Sequence, residues 1–235
     1  LIQPLIDAFT KQQDGAIKVN TVFVKDGLLE RVKAEGARSP ADVLMTVDIG
    51  NLVDLVDGGV TQPIKSATLE SVLPANLRDA QNHWFALSLR DRVLYADKNL
   101  PITQFTYEEL ADPKWKGKVC IRAGQHPYNT ALIAAKIAND GAAEAEKWLR
   151  GVKANLARKA AGGDRDVARD ILGGICDIGI ANSYYVGQMK NAAAGTDNRK
   201  WGDGIQAIRP TFAKTGGTHV NISGGAVAKH APNKN

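Results

Sequence analysis

The segment HWFALSLRDRVLYAD, residues 83–97, constrains the possible folds most, because its β-type pattern runs on without a break. Strands usually span about five or six residues, so a segment this long is expected to pass from one body of the protein into another. The glycine-rich segment GGTHVNISGGAVAK, residues 216–229, is a second β passage whose glycines permit hinge-like changes. Two such passages around a block of helices and strands predict two lobes, a two-stranded hinge and a ligand cleft between the lobes.

Helical and strand-like patterns alternate ahead of the first passage. Apolar residues recur with helical spacing in residues 1–12, 26–36 and 49–59, and strand-like patterns occupy residues 16–24 and 41–48. The first helix is expected to bury one apolar face, and residues 41–48 are expected to form a short buried strand. Strands that alternate with helices at this spacing predict an α/β fold with a mainly parallel sheet covered on both faces.

Helices and strands also alternate between the two passages. An alanine-rich helical region is predicted from about residue 130 to residue 159, and the helix in GGDRDVARDILGG is predicted to have Asp164 as its cap. Cys120 and Cys176 each stand at the head of an apolar run that is typical of a strand. Neighbouring strands in an oxidising compartment would permit a disulfide, whereas the alternative is two buried free thiols. The sequence leaves both alternatives open.

Composition narrows the classes of function. The chain has 235 residues, of which 44% are hydrophobic and 23% charged, as is typical of a globular protein with a sizeable core. It contains no run of about eighteen apolar residues and no signal-peptide pattern, so the given chain is expected neither to span a membrane nor to carry its own export signal. The net charge of +5 comes from scattered basic residues mixed with acidic ones, which argues against nucleic-acid binding.

Two adjacent tyrosines, Tyr184 and Tyr185, follow the strand-like residues IANS where a helix is expected to begin. Asn182 or Ser183 is the predicted cap of that helix, and at such a bend both phenol groups can converge on one point. The carboxyl end of a strand is where open α/β sheets bind ligands. Phenolate oxygen is a hard anionic donor that suits a highly charged cation such as ferric iron. The alternative is that one ring packs in the core and the other covers a surface.

Other chemical motifs are absent from the sequence or weak. The chain holds no G-x-x-x-x-G-K-[ST], H-E-x-x-H or G-x-S-x-G motif and no cluster of cysteine and histidine. His126 lies nearest to the predicted site, but a histidine beside a proline in a loop is expected to be solvated rather than to bind a metal.

Two arginines of the first β passage are candidates for anion binding. Arg90 and Arg92 alternate with apolar residues and therefore point to the same face of a strand. If that face meets the cleft, one guanidinium can hold a small anion through two hydrogen bonds. The alternative is a salt bridge with Asp91 or Asp97, or a solvated edge.

Several stretches, taken together, resemble one known family. They are PLIDAFTKQ, VFVKDGLLERVKAEG, SPADVLMTVDIG, ELADPKWKGKVCIR, PYN, GGDRD, CDIGIANSYYVGQM and GTHVNISGGAV. These stretches cover nearly the whole chain and resemble the periplasmic ferric-iron-binding proteins of ABC importers. The resemblance implies an α/β, two-lobed class II periplasmic binding-protein fold with a two-stranded hinge. On this interpretation the first lobe is 1–89 with 220–235, the second lobe is 97–215, and the hinge strands are 90–96 and 216–219.

The resemblance also implies roles for individual residues. The paired tyrosines of the family match Tyr184 and Tyr185, and its third tyrosine, in a V-Y-N-like motif, matches Tyr128 of PYN. The family's arginine near the iron, or near a synergistic anion such as carbonate or citrate, matches Arg90 or Arg92. We therefore expect a monomeric periplasmic receptor for Fe(III), without catalytic activity or nucleic-acid binding. Its partner is expected to be the permease of an ABC importer at the inner membrane.

The chain departs from the family at both ends. Members begin with a strand and a loop that carries a further tyrosine, and they continue for several helices past HAPNKN, residues 230–235. The chain is therefore expected to be a fragment that binds iron more weakly, with carbonate, citrate or water at the open positions. Two further hypotheses stay open: a binder of anions or other small solutes that uses Arg90 or Arg92, and an enzyme on a two-lobed scaffold, for which no nucleophile and base stand out.

Overall fold

The computed structural model describes residues 2–24 and 26–233. The helices are α1 (Gln3–Gln12), α2 (Leu28–Glu35), α3 (Ile49–Asp57), α4 (Ala67–Val72), α5 (Pro127–Asp140), α6 (Ala142–Ala154), α7 (Asp164–Leu172), α8 (Tyr184–Lys190) and α9 (Asp197–Gly204). The strands are β1 (Val43–Val47), β2 (Thr61–Gln62), β3 (Trp84–Asp97), β4 (Val119–Ile121), β5 (Ile178–Asn182), β6 (Ile205–Ile208) and β7 (Val220–Ala228). Short 3-10 helices span Gly36–Arg38, Ala75–Leu77, Tyr107–Ala111 and Pro113–Trp115. None of the helices in the described ranges is both long enough and apolar enough to cross a membrane.

The long strand β3 is shared by two groups of strands. From Trp84 to Asp91 it pairs antiparallel with β7, which also pairs with β1 and β2; we call these strands the first sheet. From Arg92 to Asp97 it pairs antiparallel with β5 and β6, and β5 pairs with β4; we call these strands the second sheet. The predicted long β passage is therefore one strand that leaves the first sheet and enters the second.

The prediction of a mainly parallel sheet is wrong. Antiparallel pairing joins β7 to β1, β2 and β3 and joins β3 to β5 and β6, whereas β4 and β5 run parallel. Alternating helices and strands predict parallel pairing only where strands that follow one another in sequence become neighbours. Here β7 comes from the other end of the chain and inserts between β1 and β3.

Burial near the beginning of the chain also differs from the prediction. In β1, Leu44 is buried, but Val43 and Met45 are 59% and 44% exposed, so helices do not cover both faces of the sheet. Helix α1 forms as predicted but contains no buried residue. Residues 16–24 do not form the predicted strand, because an alternating pattern makes a segment able to pair and a neighbour must still supply the hydrogen bonds. None of the described strands pairs with that segment.

Helices α2 and α3 lie where the sequence predicts them, and the later helices differ in their ends. The long helical region is divided into α5 and α6 at Gly141, whose φ of 87° is a left-handed value that favours glycine. It also begins earlier than predicted, at Pro127. Helix α7 has Gly163 at its cap position rather than Asp164, because the Asp164 carboxylate is buried and accepts hydrogen bonds from other elements.

A disulfide joins the two parallel strands of the second sheet. Cys120 lies in β4 and Cys176 lies just ahead of β5; their Sγ atoms are bonded and their Cα atoms are 5.9 Å apart. The structure thus favours the first of the two alternatives for these cysteines. Buried side chains pack on both faces of β5, with Ile178 and Ile180 in one cluster and Ala181 in the other. The strand that leads to the tyrosine pair is therefore held rigidly.

Replacing Cys120 and Cys176 with alanine is expected to lower the free energy of unfolding by about 4 kcal/mol, because the disulfide restricts the unfolded chain. The bonded cysteines are 56 residues apart in sequence. Urea unfolding followed by circular dichroism measures the difference, and reduced wild-type protein is the control for the substitutions themselves. Equal midpoints for oxidised, reduced and substituted protein would contradict the prediction.

Candidate functional site

Three tyrosines lie together although they come from two helices. Tyr184 and Tyr185 are the first two residues of α8, and Tyr128 lies in the first turn of α5. The hydroxyl oxygens of Tyr128 and Tyr184 are 3.3 Å apart and share a hydrogen bond. The ring centroids of Tyr184 and Tyr185 are 4.2 Å apart, with the ring planes tilted by 34°. The three tyrosines singled out in the sequence are therefore neighbours, and all three are half-buried.

The bend ahead of the tyrosine pair is fixed to β3. Helix α8 begins at Tyr184, as predicted, because β5 ends at Asn182 and Ser183 occupies the cap position. Ser183 makes no side-chain cap bond; its hydroxyl donates to the carboxylate of Asp91 instead. Its backbone N–H also donates to the Asp91 carbonyl oxygen at 3.1 Å. The tyrosine pair is thus tied to the residue at which β3 leaves the first sheet.

His126 has a structural role at the start of α5. Its Nδ1 accepts a hydrogen bond from the backbone N–H of Tyr128 at 3.2 Å, and its ring meets the Tyr128 ring edge-on at 4.4 Å between centroids. Burial lowers the pKa of His126, and the positive charge of Arg122 lowers it further. The prediction of a solvated loop histidine is therefore wrong, because this imidazole is half-buried and caps a helix.

The surroundings of Tyr184 favour a protonated phenol in the absence of a cation. Burial raises the pKa of Tyr184 above its ordinary value, and hydrogen bonds with Tyr128 and Tyr185 raise it further. A highly charged cation reverses this preference, because it binds the deprotonated ligand and releases the proton. Residues 2–24 and 26–233 hold no group of three or more His, Cys, Asp or Glu side chains that could bind a metal. The tyrosine cluster is the candidate cation site because it brings three phenol groups together.

Both Nη atoms of Arg92 are engaged with protein partners, whereas its buried Nε has none. Its side chain is 2% exposed and forms an ion pair with Asp164, at 2.8 Å between Nη1 and Oδ2. Nη1 also donates to Asn182 Oδ1 at 3.0 Å, and Nη2 donates to Asn129 Oδ1 at 2.7 Å. Protein groups therefore occupy the two Nη atoms, and the buried Nε is the donor left without a partner.

Arg90 differs from Arg92 in this respect. Its Nη1 donates to Ser223 Oγ at 2.7 Å, and its nearest carboxylate oxygen, on Asp48, is 3.9 Å from Nη2. Nη2 is buried and has no hydrogen-bond partner. The guanidinium carbon lies 5.1 Å from the centroid of the Tyr128 ring, so the spare donor is close to the phenols.

The alternative prediction for these arginines, a salt bridge with Asp91 or Asp97, is wrong. Arg90 and Arg92 approach Asp48 and Asp164, and neither pairs with Asp91 or Asp97 in the described part of the chain. Asp91 pairs with Arg209 instead, at 2.5 Å. An acidic residue next to an arginine in a strand points to the other face, so adjacency in sequence favours a different partner.

Three charged residues beside the phenols are not predicted as site residues from the sequence; one of them, Asp164, is predicted only as a helix cap. The guanidinium carbon of Arg122 lies 4.8 Å from the Tyr128 ring centroid, and that of Arg165 lies 5.8 Å from the Tyr185 ring centroid. Asp164, the third, is the buried anion of the cluster. A signal exists for Arg122, because it directly follows β4 and so lies at the same carboxyl edge as the tyrosine pair. No pattern separates the other two from the remaining charged residues of α7.

Comparison with known proteins gives consistent matches. A family model described as bacterial extracellular solute-binding protein matches residues 38–202. Iron uptake protein A2 of Synechocystis sp. (strain ATCC 27184 / PCC 6803 / Kazusa) is 40% identical over 213 residues, which are 88% of this chain and 60% of that protein. A solved Bordetella ferric binding protein is 77% identical, with a TM-score of 0.91 over 99% of this chain and 73% of that chain. A Trichodesmium protein solved with iron and citrate ligands is 44% identical, with a TM-score of 0.90 over 99% of this chain and 73% of that chain.

The structural matches confirm the predicted fold, an α/β, two-lobed fold of the periplasmic binding-protein type. The chain spans about three fifths of the length of the curated relatives it matches, 60% of one and 61% of another. The expectation that it is a fragment of a longer protein stays a prediction.

Replacing Arg92 with glutamine is expected to destabilise the folded chain by about 3 kcal/mol, because the buried carboxylate of Asp164 loses its nearest cation. The same replacement of Arg90 is expected to have a clearly smaller effect, since its Nη2 makes no hydrogen bond. Urea unfolding of both variants measures the two losses side by side. Losses of the same size would contradict the prediction that Arg92 contributes more than Arg90 to the free energy of unfolding.

Proposed function

The chain belongs to the bacterial extracellular solute-binding proteins, and we propose that it captures Fe(III) through Tyr128, Tyr184 and Tyr185 and delivers it to an ABC importer. The observation that carries the proposal is the meeting of three phenol groups from two helices. Deprotonated phenols are hard oxygen ligands that suit a trivalent cation. Support also comes from two similar structures, one a ferric binding protein and the other a protein with iron and citrate ligands.

The charges around the phenols support a cation that binds together with an anion. The guanidinium carbons of Arg90, Arg92 and Arg122 lie 5.1, 5.9 and 4.8 Å from the Tyr128 ring centroid. Positive groups at these distances attract an anion to the site. Arg90 is the proposed anion ligand because its buried Nη2 has no partner, whereas both Nη atoms of Arg92 already donate to protein groups. Carbonate and citrate are the anions of suitable size and charge that we propose.

A hinge motion is part of the proposal. Residues 90–96 and 216–219 are the proposed hinge, and the three tyrosines belong to the lobe that contains the second sheet. Support comes from β3, which changes partners between Asp91 and Arg92, and from the Arg92 N–H, which donates to the carbonyl oxygen of His219 at 3.1 Å. Iron would then bind to one lobe first, and the other lobe would close over it.

The cellular role follows from the family. We propose a monomeric receptor in the periplasm that carries out no catalysis and presents its closed form to the permease at the inner membrane. A solute-binding protein needs a cleft that opens and closes, which one chain can supply. The family match supports this role, and the partner and the oligomeric state belong to the proposal.

A second candidate function is the binding of a small anion without a metal. The unpaired Nη2 of Arg90 favours this candidate, because a buried donor without a partner is costly and an anion would satisfy it. In that case an anion alone would raise the melting temperature, and removal of a tyrosine hydroxyl would leave the effect unchanged.

Ferric citrate added to the metal-free chain is expected to produce a visible phenolate-to-iron charge-transfer band that saturates at one iron per chain. Tyr184→Phe is expected to abolish or strongly weaken the band, because it removes one phenolate from the cluster. Tyr95→Phe is the matched control: the Tyr95 hydroxyl is buried and donates to the carbonyl oxygen of Asn182, so its loss should leave the band in place. No band with folded wild-type protein would contradict the proposal for this chain.

Arg90→Gln is expected to remove the contribution of the anion while the three phenolates still bind iron. In buffer depleted of carbonate, added bicarbonate or citrate should strengthen iron binding by the wild type and have little effect on the variant. Metal competition followed at the charge-transfer band measures the difference, with chloride at equal ionic strength as control. An equal response of both proteins to the anion would rule out Arg90 as its ligand.

A further inference from the structure

We propose that Arg92, held by Asp164, is a positioning residue that fixes Tyr128 relative to Tyr184 before a cation arrives. The inference rests on the proposed function and gives Arg92 a role different from the anion binding expected of it from the resemblance. It is carried by the hydrogen bonds of one guanidinium group and by the burial of its partner.

One planar group joins the two segments that carry the phenols. Arg92 Nη2 donates to Asn129 Oδ1 at 2.7 Å, and Asn129 directly follows Tyr128 in α5. Arg92 Nη1 donates to Asn182 Oδ1 at 3.0 Å, and Asn182 is the last residue of β5, two positions ahead of Tyr184. The width of a single guanidinium group therefore sets the distance between the two segments.

The carboxylate of Asp164 holds this guanidinium in place through Nη1, the nitrogen that also donates to Asn182. Its Oδ2 accepts from Arg92 Nη1 at 2.8 Å and from the backbone N–H of Asn182 at 2.7 Å. Its Oδ1 accepts from Arg122 Nη1 at 3.2 Å. The Asp164 side chain is 0% exposed, so these charge-assisted bonds are not weakened by water. Asp164 thus connects to β5 by the same residue, Asn182, that Arg92 contacts.

Asn129 extends the connection to the loop ahead of α5. Its Oδ1 accepts from Arg92, while its Nδ2 donates to the carbonyl oxygen of Ala123 at 3.1 Å. Both ends of the amide are occupied, so its orientation is fixed. The backbone N–H of Tyr128 is bound in turn by the imidazole of His126. Tyr128 is therefore held from both directions along the chain.

Fixed ligands matter because a site that must first be ordered binds its cation less tightly. Loss of a group that orients metal ligands typically weakens metal affinity by roughly 10- to 100-fold. Lysine at position 92 would keep the positive charge beside Asp164 but lose the planar fork that reaches Asn129 and Asn182 together. Arg92→Lys therefore separates the positioning role from the charge.

The matched control is Arg158→Lys. Arg158 also pairs with a buried carboxylate of α7, Asp170, at 2.5 Å, and the Asp170 side chain is 1% exposed. Its other hydrogen bonds go to the carbonyl oxygens of residues 121, 159 and 161, outside the segments that carry the tyrosines. The two variants therefore make the same chemical change to arginines that pair with buried carboxylates of α7 at different places; the Arg158 side chain is 22% exposed and that of Arg92 is 2% exposed.

The experiment measures three quantities for wild type and both variants. They are the Fe(III) dissociation constant from competition with citrate, the wavelength of the charge-transfer band, and amide hydrogen exchange of residues 126–130 and 182–185 in metal-free protein. Arg92→Lys is expected to weaken Fe(III) binding by roughly 10- to 100-fold, to shift the band and to speed exchange in both segments. Arg158→Lys is expected to match the wild type in all three, even if its melting temperature falls.

The positioning role is overturned if Arg92→Lys matches the wild type, or if both variants lose affinity equally, which would indicate general destabilisation. Absence of a band in the wild type would instead contradict the proposed function. The hydrogen-exchange data by themselves would then test the positioning role. If Arg92→Lys does not fold, Asn129→Leu keeps the Arg92–Asp164 pair and removes the hydrogen bonds of the Asn129 amide with Arg92 and with the Ala123 carbonyl oxygen. Faster exchange of residues 126–130 alone is then expected, and unchanged exchange would overturn the role.

Discussion

Strand β3 belongs to two sheets. The residues at which it passes from one sheet to the other, Asp91 and Arg92, bind the segments that carry the tyrosines. Asp91 binds the bend ahead of the tyrosine pair through Ser183, and Arg92 binds both segments that carry the phenols. The hydroxyl of Tyr107 donates to the Arg92 carbonyl oxygen at 2.6 Å and accepts from the His219 N–H at 3.1 Å. One buried phenol therefore joins the two β passages at Arg92 and His219, so a shift of either passage would move groups next to the candidate site.

The electrostatics of this crossing are dominated by buried arginines. Arg92 is balanced by Asp164 at short distance, whereas Arg90 lies 3.9 Å from Asp48 and keeps one donor unpaired. Burial lowers the pKa of His219 to about 4, and the positive charges of Arg92 and Arg90 contribute to the shift. The imidazole is therefore neutral at physiological pH, and the positive charge beside it lies on the guanidinium groups of Arg90 and Arg92. Such a field suits anionic oxygen ligands and is unfavourable for a bare cation.

Much of the local structure could be predicted from the sequence, because it depends on short patterns. The ends of α2 and α3, the length of β3 and the start of α8 at Tyr184 follow from helical spacing, glycines and strand-like runs. The same patterns fail where a partner is needed. Residues 16–24 alternate like a strand without forming one, and the strands adopt largely antiparallel pairing because β7 inserts between β1 and β3. Pairing depends on which segments meet, and spacing within a segment carries little information about that.

The candidate site also combines features that the sequence predicts with features that only the tertiary structure decides. Residue type and adjacency name the donors: the phenols of Tyr184 and Tyr185 are neighbours in the chain, and Tyr128 is found through a family motif. The roles of the two arginines depend on tertiary structure, since Asp164, the partner of Arg92, is 72 residues away in sequence. A strand pattern shows that two side chains share a face. The folded chain alone brings a buried carboxylate and two amides to the Nη atoms of Arg92 and leaves Nη2 of Arg90 without a partner. Covalent neighbours are fixed by the chain itself, whereas hydrogen-bond partners are selected by packing.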